Sequence, residues 1–325
     1  MDATEVDLTA PFGNGTLPNP VTTASGCAGY GRELAKFLPL TELGSITTKT
    51  IMPYPRAGRP TPRMAETPSG MLNSIGLQGS GIEHFVEQEL PWLAERGVRV
   101  LVSVAGERVE EFAETAQALR GRPGVVGIEA NISCPNVANR GLVFACNPAT
   151  SYDVIAAIRE VSDPGLPLYA KLTPDVTSIT EIAAACVRAG ADGLSMINTL
   201  LGMAIDTTTL RPSLAAGELG DGTGGLSGPA IRPVAVRCVY QVHAAMRAGV
   251  MPMVPILGMG GIRTGLDALE FVLAGASGVA VGTTVFNDPS APLRVLGELR
   301  QALAERGFAA LTDAIGYVHH QGVQT

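Results

Sequence analysis

Short apolar runs alternate with amphipathic segments along most of the chain. The runs Gly44–Lys49, Met71–Ile75, Val98–Val104, Val125–Ile132, Leu168–Leu172, Gly193–Ile197, Val254–Gly258 and Gly278–Gly282 read as strands buried on both faces. Between them, Glu83–Arg96, Glu107–Arg120, Ser151–Val161, Ile179–Ala189, Pro229–Ala248, Leu266–Ala274 and Pro292–Arg306 place apolar residues at helical steps. Ile155, Ile158 and Val161 share one face, with Arg159 and Glu160 turned outward. Glycines follow several helix ends, as at Ala189-Gly190 and Ala274-Gly275, where a left-handed residue stops a helix. This alternation predicts a parallel sheet. Eight runs fit a single-domain α/β fold of the (β/α)₈ (TIM) barrel type, with a doubly wound sheet as the alternative. No domain boundary is visible. Two segments lack periodicity: the proline-rich Pro53–Pro68, and Asn198–Ser227, which at that length reads as a functional loop.

Composition narrows the class. Of 325 residues, 46% are hydrophobic and 16% charged, which excludes a disordered chain. The formal net charge is −7 with no basic run, so neither nucleic acid nor an anionic membrane is an expected partner. No apolar stretch approaches a membrane span, and Met1–Thr16 carries Asp2, Glu5 and Asp7 without Lys or Arg, unlike a signal or transit peptide. Five widely spaced cysteines without C-x-x-C favour neither a disulfide framework nor a metal or iron–sulfur site. These features read as a cytoplasmic enzyme.

In a barrel, chemistry collects where strands end. Lys49 ends the first run, Asn73 lies in the second, and the fourth leads into Asn131-Ile132-Ser133-Cys134-Pro135-Asn136. Lys171, Asn198-Thr199, Gly260-Gly261 and Gly282-Thr283 follow later runs. Each residue alone has an ordinary explanation: a solvated lysine, a turn asparagine, a small buried cysteine. Together they place more amides and ammoniums on one rim than a core can use. The glycines after the last two runs, with Gly224-Gly225-Leu226-Ser227-Gly228-Pro229, read as a phosphate site. No G-x-G-x-x-G opens the first helix, which argues against a Rossmann NAD site.

These residues resemble the class 1 dihydroorotate dehydrogenases, flavin-dependent barrel enzymes of pyrimidine synthesis. The resemblance spans about Asn19 to Pro289 and centres on Asn131-Ile132-Ser133-Cys134-Pro135-Asn136, where class 2 enzymes carry Ser for Cys. Further matches include Ala24-Ser25-Gly26, Thr48-Lys49-Thr50, Met71-Leu72-Asn73-Ser74-Ile75-Gly76-Leu77-Gln78, Lys171-Leu172-Thr173-Pro174 and Gly258-Met259-Gly260-Gly261-Ile262. Asn198–Asp206 is similar to the NAD-linked subclass 1B.

The resemblance implies that Cys134 is the base at C5 of dihydroorotate while hydride leaves C6 for FMN. It implies substrate contacts from Lys49, Asn73, Gly76, Leu77, Asn131, Asn136, Asn198 and Thr199, with Lys49 also serving catalysis. FMN contacts are implied for Ala24, Ser25, Gly26, Lys49, Asn131, Lys171 and Ile197. The phosphate would lie at Gly228, Gly260, Gly261, Gly282 and Thr283. Subclass 1B implies a homodimer of this chain in a heterotetramer with a subunit carrying FAD and a [2Fe–2S] cluster. Cys27 stands where Thr is more usual, and Gln78–Gly81 and Phe144–Asn147 also vary. The alternatives are a flavin oxidoreductase for another dihydropyrimidine such as dihydrouracil, a flavin-free phosphate-binding lyase or isomerase, and a barrel that binds a nucleotide without catalysis.

Overall fold

The computed structural model describes residues 2–133, 144–214 and 222–320. Eight parallel strands form the central sheet: β1 (Val21–Thr23), β2 (Ile46–Thr47), β3 (Val100–Val104), β4 (Val125–Asn131), β5 (Leu168–Leu172), β6 (Gly193–Met196), β7 (Ile256–Met259) and β8 (Gly278–Val281). They pair in the order β1-β8-β7-β6-β5-β4-β3-β2. At the remaining seam, Gly44 N–H donates to Val21 O at 2.9 Å. The Thr23 hydroxyl accepts from Thr47 N–H at 3.0 Å and donates to Thr47 O at 3.2 Å. Backbone groups that a ladder would pair are satisfied there by a side chain, and the sheet closes nearly completely into a (β/α)₈ barrel.

Two strand assignments from the sequence pattern change. Val21–Thr23 is the first barrel strand, and the run at 71–75 leaves the barrel: Gly70–Asn73 joins a four-stranded antiparallel sheet with Leu200–Gly202, Gly224–Ser227 and Met64–Thr67. Three residues with two threonines carry little periodic signal, whereas Met71-Leu72 mimics a buried strand. Both aperiodic segments thus contain strands, and the sheet they build stands beside the barrel mouth. The helix expected over 83–96 runs as Gly81–His84, a π turn over Phe85–Glu89, and Leu90–Glu95. No α-helix lies between β1 and β2, where two 3₁₀ turns span Leu34–Lys36 and Leu40–Glu42.

The remaining helices, Val109–Gln117, Pro148–Val161, Ile179–Arg188, Arg232–Arg247, Gly265–Ala274 and Ala291–Glu305, bury one face each against the barrel. Gly265–Ala274 begins with a reciprocal cap between Thr264 and Asp267, which satisfies amides that a helix start leaves open. At the floor, the hairpin Ala10–Phe12/Gly15–Leu17 plugs the barrel. Phe12 stacks on Tyr169 with ring centroids 4.8 Å apart, and Gly13 N–H donates to Tyr169 Oη at 3.0 Å. Gly193 makes room for this ring: a Cβ there would sit 2.4 Å from it.

Candidate active site

The carboxyl ends of the strands and the four-stranded sheet surround two adjoining cavities. The larger, about 360 Å³, is lined by Ser25, Gly26, Lys49, Asn73, Gly76, Leu77, Asn131, Asn198 and Thr199 among others. The smaller, about 80 Å³, is lined by Ala24, Ser25, Lys171, Ile197, Gly228, Gly260, Gly261, Gly282 and Thr283 among others. Ser25, Cys27, Asn198, Thr199, Ser227 and Thr283 border both. All the residues singled out in the sequence therefore meet at one mouth, except Cys134 and Asn136, which lie outside the described residues.

A chain of hydrogen bonds fixes the amides. Thr50 and Ser103 hydroxyls lie 3.0 Å apart, and Asn131 Nδ2 donates to Thr50 Oγ1 at 3.0 Å. Ser133 Oγ donates to Asn131 Oδ1 at 2.9 Å and accepts from Asn198 Nδ2 at 2.8 Å. Asn198 Oδ1 in turn accepts from Thr199 N–H at 2.9 Å. On the opposite wall, Asn73 Nδ2 donates to Gly225 O at 3.1 Å. Asn73 thus reaches the site from the antiparallel sheet rather than from a barrel strand. Such side chains are held before any ligand arrives, so little rotamer freedom remains to be lost on binding.

Lys171 is buried at the end of β5, with only 3% of its surface exposed. Its Nζ donates to Ser25 Oγ at 2.7 Å and stands 3.6 Å from Glu129 Oε1, an ion pair without a hydrogen bond. Glu129 is fully buried on β4, and neither carboxyl oxygen has a hydrogen-bond partner. Cys27, half-buried between the cavities, faces both lysines; burial pushes its thiol up to about 11 while Lys171 and Lys49 pull it down. It is a neutral thiol near pH 7.

The glycine segments converge on the smaller cavity. Gly228, Gly260 and Gly261 have φ of +91°, +128° and +80°. A Cβ on Gly261 would meet Gly228 O at 2.9 Å. Thr283 Oγ1 donates to Ser227 Oγ at 2.9 Å, which draws the loop after β8 to the one preceding Gly228. Backbone brought this close, with no side chains between, forms a cradle for an anion.

The sequence pattern did not single out Arg59, Arg63 or Glu129. Arg63 lines the larger cavity from the proline-rich segment and donates to Gln78 Oε1 at 2.6 Å. Glu129 carried a readable signal, an acid inside an otherwise apolar strand.

A barrel mouth with a glycine cradle, a buried ammonium and a rim of amides defines a cofactor-dependent barrel enzyme acting on a small polar substrate. The family model for dihydroorotate dehydrogenase matches residues 7–303. The chain is 49% identical to the catalytic subunit of dihydroorotate dehydrogenase B (NAD(+)) of Geotalea uraniireducens, over 95% of this chain and 97% of that protein. It is 48% identical to the corresponding subunit of Geobacter sulfurreducens, with the same coverage, and 47% to that of Anoxybacillus flavithermus, over 94% of each chain. The chain belongs to the dihydroorotate dehydrogenase family.

Proposed function

We propose that this chain oxidises (S)-dihydroorotate to orotate in pyrimidine biosynthesis, using FMN. One observation carries the reading: two lysines, three asparagines and the glycine cradle border two joined cavities at one barrel mouth. The residues present fit FMN. Gly228, Gly260, Gly261, Gly282 and Thr283 would hold its phosphate, in a cradle whose loops pack too closely for a Cβ on Gly261. Ala24, Ser25, Gly26, Lys49, Asn131, Lys171 and Ile197 would hold the ring system. When bound, FMN supplies the acceptor for the hydride that leaves C6.

The substrate is a six-membered ring, saturated at C5 and C6, with a carboxylate, two carbonyls and two N–H groups. Asparagine offers donors and an acceptor in one plane, which suits Asn73, Asn131, Asn136 and Asn198 to this ring, with Thr199 beside them. Lys49 adds a cation to the same cavity, and the backbone of Gly76 and Leu77 faces the carboxylate. Cys134 takes the proton from C5; an ordinary cysteine titrates near ~8.5, so a modest downward shift supplies thiolate at neutral pH. Lys171 presents positive charge to the cofactor's ring, where negative charge grows during the reaction.

Electrons then leave this chain. The relatives' name, catalytic subunit, supports a partner. We assign that partner FAD and a [2Fe–2S] cluster, NAD as final acceptor, and a heterotetramer built on a homodimer of this single-domain chain. We place this activity in the cytoplasm; among the described residues no helix is long and apolar enough to cross a membrane.

Anaerobic mixing of the FMN-loaded protein with dihydroorotate tests cofactor and substrate together. The expected result is loss of flavin absorbance with orotate formed in equal amount. Bleaching by dihydrouracil but not dihydroorotate would overturn the reading.

A further inference from the structure

The wall that faces the proposed carboxylate is held from behind by a residue outside the cavity. Gly76 and Leu77 both have positive φ, +76° and +53°. Two consecutive residues in this region, one carrying a side chain, persist only where neighbours over-determine the backbone. Arg59 supplies much of that determination. Its N–H donates to Ile75 O at 2.9 Å, and its Nη1 donates to Ser74 Oγ at 2.7 Å. Its Cγ fills the space beside Gly76, where an added Cβ would come within 2.9 Å. The same short segment contributes Arg63, whose carbonyl accepts from Ser74 N–H at 2.8 Å. Ser74 is buried, at 4% exposure, so its hydroxyl has a fixed direction in which to accept.

We propose that Arg59 and Ser74 form a brace that sets the Gly76–Leu77 backbone for the carboxylate of the substrate, making Arg59 a positioning residue for ligand selection. Its side chain and backbone touch Ser74, Ile75 and Gly76 in succession, and Arg59 itself does not line the larger cavity. The guanidinium also places positive charge behind the turn, so the brace favours an anionic ring substituent over a neutral one. This inference rests on the proposed function, because it needs a carboxylate-bearing pyrimidine in the larger cavity.

The test uses the FMN-loaded protein and three variants: Ser74→Ala, Arg59→Met, which keeps the stem against Gly76, and the two combined. Orotate affinity is read from the perturbation of flavin absorbance, and KM and kcat from dihydroorotate turnover. Each single variant is expected to raise the orotate Kd and the KM about tenfold, the scale of one charge-assisted hydrogen bond. The double variant is expected to lose no more than either single one, as two ends of one contact require. Single variants within twofold of the parent would overturn the brace. So would a double variant whose losses multiply, or a fall in kcat as large as the rise in KM. A parent protein that neither binds orotate nor is reduced by dihydroorotate refutes the proposed function instead, which separates the two failures.

Discussion

Lys171 Nζ donates to Ser25 Oγ at 2.7 Å, tying the end of β5 to the segment that follows β1 across the barrel mouth. Glu129, 3.6 Å away on the neighbouring strand, is the acidic partner of this ammonium. The cation that lines the smaller cavity is thus mounted on a buried ion pair.

Breaking a buried pair from one side leaves a charge with no compensation, at a cost of about 3–5 kcal/mol. Glu129→Gln should therefore lower the urea midpoint substantially, and Glu129→Gln combined with Lys171→Met should recover part of the loss. Equal midpoints for Glu129→Gln and the parent would show that the pair contributes nothing to stability.

Gly261→Ala should empty the cofactor site before it unfolds the protein. The new Cβ would meet Gly228 O at 2.9 Å and force a left-handed φ of +80° on a residue with a side chain. Strain of this kind costs about 1–3 kcal/mol, enough to weaken FMN binding roughly tenfold or more. Release of fluorescent free flavin on dilution measures it.

If Cys134 is the base, Cys134→Ser should reduce turnover by about 10²–10⁴-fold, the usual worth of a positioned proton acceptor, while FMN stays bound. Rapid-mixing measurement of flavin reduction reads the step directly. A variant with parental turnover would remove Cys134 from the mechanism.

His243 makes stability depend on pH. Burial, then the positive charge of His319, Arg247 and His320, lowers it from 6.5 to about 4. Its ring lies against Gly275 and Gly316, and its Nδ1 has no hydrogen-bond partner. Between about pH 6.5 and 4 the unfolded chain binds this proton and the folded chain does not, so stability falls as pH falls through that window. The contribution is at most about 3–4 kcal/mol, at about 1.4 kcal/mol per pH unit. His243→Leu should flatten the melting temperature across this range relative to the parent; parallel curves would contradict the assignment.

The barrel was legible because seven of its eight strands or their neighbouring segments are apolar runs followed by helices of one repeating type. Val21–Thr23 escaped because a three-residue strand with two threonines has no period to read, and its identity rests on pairing with Val279–Val281. Met71–Asn73 misled because a short apolar run looks the same in a parallel barrel and in an antiparallel sheet; its antiparallel pairing with Gly225–Ser227 and Met64–Thr67 decides between them. The candidate site was legible at strand ends, where Asn131, Lys171 and Asn198 follow apolar residues directly and Lys49 follows two threonines at the end of the first run. Arg59 and Arg63 were not, since long side chains from an aperiodic, proline-rich segment act at positions that spacing does not encode.

The hydroxyl of Thr23 stands in for a run of main-chain bonds between β1 and β2. Apart from the main-chain bond from Gly44 to Val21, this closure is fastened by side-chain hydroxyls where other strand pairs use ladders, so the cylinder should breathe first along that line. Deuterium uptake at the Thr47 amide should outpace that at amides in β4 and β5. A Thr23→Val replacement should accelerate it further, letting solvent into the interior from the side while the rest of the cylinder stays intact.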